Sequence, residues 1–133
     1  MTILILFFAT FVFFLAVDFV ALSYFIKPIF ARDIGPLMLD ELRLLPAFFF
    51  YAFLVAVVIW FVSWPAMSAG KSLWWVFGNA ALLGAAAYGT YEFTNYAVLK
   101  DWTATLVVTD LCWGTVLTGG SAAFGVLVAR YFA

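Results

Sequence analysis

Apolar residues run along this chain in four stretches, each near or above the roughly 20 residues that a helix needs to cross a bilayer. The stretches lie at about 2–26, 47–69, 72–98 and 104–131. The first lacks the basic start and small-residue cleavage site of a signal peptide, so we expect it to be a membrane helix. The pattern predicts an all-α membrane protein, with residues 1–133 as a single transmembrane domain built as an antiparallel four-helix bundle.

The connections between these stretches differ in length. Gly70-Lys71 and Lys100-Asp101 are expected to form tight turns, which make the last three helices antiparallel neighbours. The long connection from Lys27 to Pro46 is broken at Gly35-Pro36. Its second part, residues 37–45, fits a short interfacial helix, and a solvated connector explains it equally well.

Composition supports the membrane class. The 133 residues are 68% hydrophobic and only 10% charged, and the mean hydropathy is +1.17. A soluble domain of this size has too little interior to bury so much apolar surface, so the lipid bilayer is the expected partner. The net charge of −1 and the lack of a basic run argue against nucleic acid.

The residue types available limit the chemistry. The chain has no His and one Cys, Cys112, so the usual ligands for zinc, copper or haem are missing and no internal disulfide can form. No motif requires a cofactor. A bound metal would be a hard ion such as Mg²⁺, Ca²⁺ or Mn²⁺, with Asp18, Glu92 and Asp110 as its ligands.

Those three carboxyl groups are the main polar feature of the predicted helices. At a rise of 1.5 Å per residue, all three lie roughly 6 to 11 Å from the midplane on the same side of the membrane. Tyr51 in the second helix reaches the same depth. A central acidic residue costs about 3 kcal/mol to insert, so three of them indicate a functional site. Interhelical hydrogen bonding is the structural alternative.

Helical spacing adds polar and aromatic residues to this layer. Tyr88, Glu92 and Asn95 follow i, i+4, i+7 spacing on the third helix, and Trp113 shares a face with Asp110 on the fourth. The predicted binding residues for a proton or substrate are Asp18, Tyr51, Tyr88, Tyr91, Glu92, Asn95, Asp110 and Trp113. Trp102 lies near a helix end, where an interfacial aromatic belt explains it, and Arg43 is the loop cation expected to reach the layer.

Small residues on the fourth helix predict close helix contacts. Gly114 follows Asp110 by one turn, and two stripes of small residues share this helix. The stripes are Thr115, Gly119 and Ala123, and Ser121, Gly125 and Ala129. Gly114, Gly119 and Gly125 are therefore expected to pack against a helix of the same bundle or of a second protomer.

These residues also carry a resemblance. Asp18, the run Tyr88-Gly-Thr-Tyr-Glu-Phe-Thr-Asn95 and the run Asp110-Leu-Cys-Trp-Gly-Thr115 resemble a bacterial membrane-protein family catalogued as domain of unknown function number two thousand one hundred and seventy-seven. Family members often have Asp at the position of Glu92 and tend to have Trp at the position of Ala21. The resemblance implies a four-helix bacterial membrane protein and brings no established activity.

Three functions from different classes fit the pattern. The leading hypothesis is a small transporter or carrier that binds a proton or a cationic substrate at the carboxyl cluster. The second is a structural or accessory subunit of a larger membrane complex. The third is a lipid-modifying enzyme with paired carboxyl groups as acid and base. No Ser elbow, P-loop or zinc motif supports an enzyme, so the balance favours a non-enzymatic role.

Charge distribution predicts the orientation in a bacterial inner membrane. The side nearest the acidic layer carries four of the six cations, Lys27, Arg32, Arg43 and Lys100. The positive-inside rule therefore places that side in the cytoplasm, although a bias this small leaves dual insertion open. Besides the bilayer, the expected partners are further copies of the chain in a homo-oligomer or the subunits of a larger membrane complex.

Overall fold

The computed structural model describes residues 1–132, which form four long helices and no strand. They are α1 (Thr2–Leu37), α2 (Leu44–Ala69), α3 (Leu73–Val98) and α4 (Ala104–Phe132). By length and composition, α1, α2 and α4 can each cross a membrane. Helix α3 has 26 residues and is not among the helices that length and composition identify as membrane spans. The chain is an all-α membrane protein, as the hydrophobic pattern predicts.

Helix α1 does not end at residue 26 as expected. It continues past Pro28 to Leu37, and a π-helical turn at Leu22–Ile26 immediately precedes the proline. Proline has no N–H for the preceding turn, and its ring clashes with the carbonyl four residues earlier. A π turn widens the helix there and relieves the clash. The same arrangement recurs in α2, where a π turn at Ile59–Ser63 precedes Pro65.

The connection between α1 and α2 is consequently shorter than predicted. A 3₁₀ turn at Gly35–Leu37 ends α1, and residues 38–43 are not helical. The expected interfacial helix over residues 37–45 is therefore wrong. Met38 is extended, with ψ of 144°, because a helix cannot continue regularly through Gly35-Pro36. Helix α2 then begins at Leu44, three residues before the predicted start.

The two tight turns form with conventional caps. Gly70 has φ of 65° after the last residue of α2, a conformation that costs glycine little. The Ser72 hydroxyl accepts a hydrogen bond from the Trp75 N–H at the start of α3, at 3.1 Å. At the start of α4, the Thr103 hydroxyl accepts from the Leu106 N–H and donates to Asp33 of α1. This last contact ties the extension of α1 to the turn between α3 and α4.

Helix α4 lies at the centre of the bundle. It packs along most of α3 and also against α1, while α2 contacts α1, α3 and α4. Polar side chains within the helices bond to the carbonyl one turn earlier, as Thr118 does to Gly114 at 2.7 Å. The apolar core is continuous across all four helices. It includes Leu6, Phe14, Val55, Val58, Val76, Leu117 and Val126.

Candidate functional site

The three carboxyl side chains are buried inside the bundle. Asp18 of α1 is 4% exposed, Glu92 of α3 is 0% exposed and Asp110 of α4 is 7% exposed. None of them therefore lies on the lipid-facing surface. Each comes from a different helix, so their approach to one another is a product of tertiary packing.

Glu92 and Asp110 form a carboxyl pair across the α3–α4 contact. Their carboxyl groups are hydrogen-bonding neighbours. Two carboxyl groups can form such a bond only when one of them is protonated, so this pair is a candidate site for a shared proton. The indole Nε1–H of Trp102 donates to Oε1 of Glu92 at 3.0 Å, while Oε2 has no donor partner within residues 1–132.

Asp18 is held separately. The indole Nε1–H of Trp113 donates to Oδ1 of Asp18 at 3.0 Å, and Phe25 packs edge-on against the Trp113 ring. The Tyr51 hydroxyl is the next polar group beside Asp18. Asp18 interacts with Asp110 at longer range, through its charge. The three acids thus divide into a pair and a neighbour.

A cavity of about 610 Å³ reaches Asp110 from the connector between α1 and α2. Asp110 is buried, and we call the side lined by Ala87, Tyr88 and Asp110 the deep end of the cavity. Lys27 and Leu42 also line the cavity but are exposed, and they define its outer end. Tyr51, Tyr91 and Phe50 also line it. Apart from Lys27, Asp110 and the tyrosine hydroxyls, the named wall residues are apolar.

The predicted binding residues therefore have different environments. Tyr51, Tyr88, Tyr91 and Asp110 line the cavity. Asp18, Glu92, Asn95 and Trp113 do not, and Asn95 instead lies beside the Tyr91 hydroxyl. The Tyr88 hydroxyl is buried and has no hydrogen-bonding partner within residues 1–132.

Two site residues were assigned wrongly from the sequence. Trp102 was expected in an interfacial aromatic belt, but it is buried, donates to Glu92 and packs edge-on against Phe30 and Tyr91. Its position ten residues after Glu92, across a turn, is the only signal in the sequence. Lys27 lines the cavity, whereas Arg43, the cation expected to reach the site, does not. The continuation of α1 past residue 26 places Lys27 there.

The packing glycines lie at contacts within the bundle. A Cβ atom at Gly114 would overlap the Tyr88 ring, one at Gly125 would overlap the Thr10 hydroxyl, and one at Gly119 would lie 2.9 Å from the Phe77 carbonyl. Gly84 of α3, which the stripes do not include, also lies at a close contact, because a Cβ atom there would lie 2.5 Å from Oγ1 of Thr118. Gly114 is the one that bears on the site, because its missing side chain makes room for Tyr88.

The three carboxyl groups are not grouped as a set of metal ligands in the described chain. Across residues 1–132, no group of three His, Cys, Asp or Glu side chains is arranged to hold a metal ion. The expected three-carboxylate ligand set is thus not assembled in this structure. Asp18 instead accepts a hydrogen bond from Trp113, and Glu92 accepts one from Trp102.

These observations define a small helical membrane protein with a buried carboxyl pair beside an apolar cavity. The chain belongs to the family described as Predicted membrane protein (DUF2177), whose model matches residues 3–127. This confirms the resemblance carried by the runs around Glu92 and Asp110. No curated protein and no solved structure matches the chain.

Proposed function

We propose that this protein is a small membrane carrier that binds a proton or a cationic substrate at the carboxyl cluster of Asp18, Glu92 and Asp110. The observation that supports it is the position of Asp110, which pairs with Glu92 on one side and lines a cavity of about 610 Å³ on the other. A proton held by the pair and a cation in the cavity would therefore meet at the same carboxyl group.

Competition between the proton and the cation for Asp110 would couple the movement of one to that of the other. When a cation approaches from the cavity, a negative charge on Asp110 stabilises it, and the proton shared with Glu92 becomes dispensable. When the cation leaves, the desolvated pair recovers a proton, because two adjacent carboxylates repel each other strongly. One proton is thus exchanged for one positive charge.

The second candidate is a structural or accessory subunit. The observation that favours it is the pair of indole hydrogen bonds, because each satisfies a buried carboxyl oxygen without any ligand. In that case the acids act as hydrogen-bonding groups between helices, worth about 1 kcal/mol each. The chain would then work in a homo-oligomer or a larger membrane complex.

Proteoliposome flux distinguishes the two functions. Outward gradients of Na⁺, Mg²⁺, tetramethylammonium and tetraphenylphosphonium are imposed one at a time while internal pH is followed with a trapped dye. Proton uptake driven by any of these cations, lost in Asp110→Asn and Glu92→Gln, supports the carrier. Asp101→Asn is the matched control, because Asp101 is an exposed acid in the α3–α4 turn. Absence of proton movement with every cation would overturn the carrier in favour of the structural role.

We also propose that the acidic end faces the cytoplasm of a bacterial inner membrane. Lys27, Arg32, Arg43 and Lys100 at that end support this orientation, against Lys71 and Arg130 at the other. The test is thiol labelling of intact cells in a Cys112→Ser background. Arg43→Cys should be protected from an impermeant reagent and Lys71→Cys should react. The reverse pattern would contradict the orientation, and labelling of both would indicate dual insertion.

A further inference from the structure

We infer that the cavity beside Asp110 accepts an organic cation with bulky apolar groups, bound with its charge at Asp110 and its apolar body against the aromatic wall. This inference rests on the proposed carrier function and names the class of its substrate. It follows from the composition of the cavity wall, from the cavity's size and from the placement of charge along it.

The cavity is unsuited to a bare metal ion. Mg²⁺ and Ca²⁺ require six or more oxygen ligands, and Asp110 is the only carboxyl group that lines the cavity. Within the described chain, no three acids are grouped for a metal. A small hydrated cation would exchange its water for apolar side chains such as Ala87 and Leu22, which cannot replace the lost hydrogen bonds.

The aromatic wall suits a cation that needs no hydrogen-bond acceptors. Phe50 lies 5.9 Å from Tyr51 and 6.5 Å from Tyr88 between ring centroids, and all three line the cavity. Tyr91 adds a fourth ring. Aromatic faces attract cations electrostatically, and they favour ligands whose charge is shielded by carbon groups. An organic cation therefore gains from the same wall that excludes a hydrated ion.

The cavity's size fits a molecule rather than an ion. A volume of about 610 Å³ lies within the roughly 300 to 1,000 Å³ of pockets that hold drug-sized ligands. Asp110 is more than nine-tenths buried yet faces this space, and the buried Tyr88 hydroxyl beside it has no partner within residues 1–132. Both groups are thus available to a ligand at the deep end.

The charged side chains that line the cavity favour a ligand whose positive group lies at the deep end. Asp110 is faced by Asp18 from α1, by Tyr51 from α2 and by Glu92, Tyr88 and Tyr91 from α3. Among the described residues, Lys27 is the single cation that lines the cavity, and it is exposed at the outer end. An anionic amphiphile would place its charge at Lys27 and leave Asp110 covered by an apolar tail. A cation at the deep end pairs with Asp110 instead.

Two probes of similar shape and opposite charge test this inference. Tetraphenylphosphonium and tetraphenylborate are titrated by calorimetry into the purified protein in detergent. The cation should bind at least about tenfold more tightly than the anion, a difference of about 1.4 kcal/mol. Its affinity should rise with pH, because binding displaces the proton of the Glu92–Asp110 pair. Equal or tighter binding of tetraphenylborate would overturn the inference and indicate an anionic amphiphile.

Two variants separate the site from partition into detergent. Asp110→Asn should weaken tetraphenylphosphonium binding by about tenfold or more, since the loss of a buried charge partner typically exceeds 1.4 kcal/mol. Ala87→Phe, which fills part of the cavity without changing any acid, should weaken it similarly. Asp101→Asn should leave it unchanged. Binding that survives both cavity variants is partition, and it would contradict the inference.

Different outcomes of these experiments would contradict the proposed substrate class and the proposed carrier function. If Na⁺, Mg²⁺ or tetramethylammonium drives proton uptake that depends on Asp110, while tetraphenylphosphonium neither binds nor drives it, the carrier stands and the substrate class is wrong. If no cation drives proton uptake and tetraphenylphosphonium does not bind, both are wrong. If the organic cation binds at Asp110 without proton movement, the cavity is a binding site and the carrier is wrong.

Discussion

The two halves of the bundle are built on different principles. In the packed half, which contains Leu6, Thr10, Phe77, Gly119 and Gly125, glycines let the helices approach until no side chain fits between them. In the acidic half, which contains Asp18, Tyr51, Glu92, Trp102 and Asp110, large aromatic residues hold the helices around buried carboxyl groups and a cavity.

The contrast has a physical cause. Helix association in lipid lacks the hydrophobic driving force found in water, so it depends on close packing and on hydrogen bonds between helices. The packed half is held by close packing. The acidic half is held by hydrogen bonds between helices, because a buried carboxyl group without a partner costs free energy. A half held by few directional bonds can contain an open volume that the packed half excludes.

The largest loss of stability is expected from Gly119→Leu. A Cβ atom there would lie 2.9 Å from the Phe77 carbonyl, which belongs to the backbone and cannot rotate away. Overpacking of this kind costs about 1–3 kcal/mol, so the midpoint of thermal unfolding in detergent should fall clearly. Gly120→Leu is the matched control, because a Cβ atom at Gly120 meets nothing within 4 Å. Equal midpoints for the two variants would contradict packing at Gly119.

Trp102→Phe should have the next largest effect, in the acidic half. It preserves most of the aromatic packing but leaves Oε1 of fully buried Glu92 without its indole donor. An unsatisfied buried acceptor costs about 1–3 kcal/mol. Trp74→Phe is the control, since Trp74 is 83% exposed. In a Glu92→Leu background the Trp102→Phe effect should shrink, and an undiminished effect would assign the loss to packing alone.

Arg130→Gln should destabilise the packed half by a smaller amount. The Arg130 guanidinium donates to the Ala66 carbonyl at 3.3 Å and to the Lys71 carbonyl, so it satisfies acceptors at the end of α2. We expect a loss of about 1 kcal/mol, measured as the thermal midpoint. Lys100→Gln, an exposed cation at the opposite end, should be neutral. A neutral Arg130→Gln would show that these carbonyls find other partners.

Tyr88→Phe should change stability least. The Tyr88 hydroxyl is buried without a partner in the described chain, so its removal deletes no hydrogen bond and keeps the ring against Gly114. We expect a change within about 0.5 kcal/mol, or a slight gain in thermal midpoint. A loss above 1 kcal/mol would mean that the hydroxyl has a partner in the membrane-embedded protein, with Tyr51, Asp18 and Asp110 as the neighbouring candidates.

Helix positions followed from the sequence wherever the apolar run had clear ends. The bounds of α3 and α4 lie within one residue of the predicted ones, because Ser72 and Lys100-Asp101 interrupt the apolar runs. Helix α1 is the exception. Lys27-Pro28 reads as a helix end, but a π turn before the proline accommodates its ring and the helix continues to Leu37.

The candidate site was predictable in its depth and not in its contacts. Helical spacing brought Tyr88 and Asp110 to one layer, and both line the cavity. The roles of Trp102 and Lys27 were missed, because one depends on how the α3–α4 turn folds back and the other on the extension of α1. Neither is encoded in a local pattern.

The sequence by itself determined the membrane class and the four helices, and it predicts a common depth for Asp18, Glu92 and Asp110. Depth along a helix follows from position at 1.5 Å per residue, so counting gives it wherever the ends of the helix are known. The tertiary structure decided that Glu92 pairs with Asp110, that Asp18 bonds to Trp113 and that a cavity opens at Asp110. These contacts depend on the rotation and spacing of whole helices, which the glycine contacts and bulky side chains of all four helices set together.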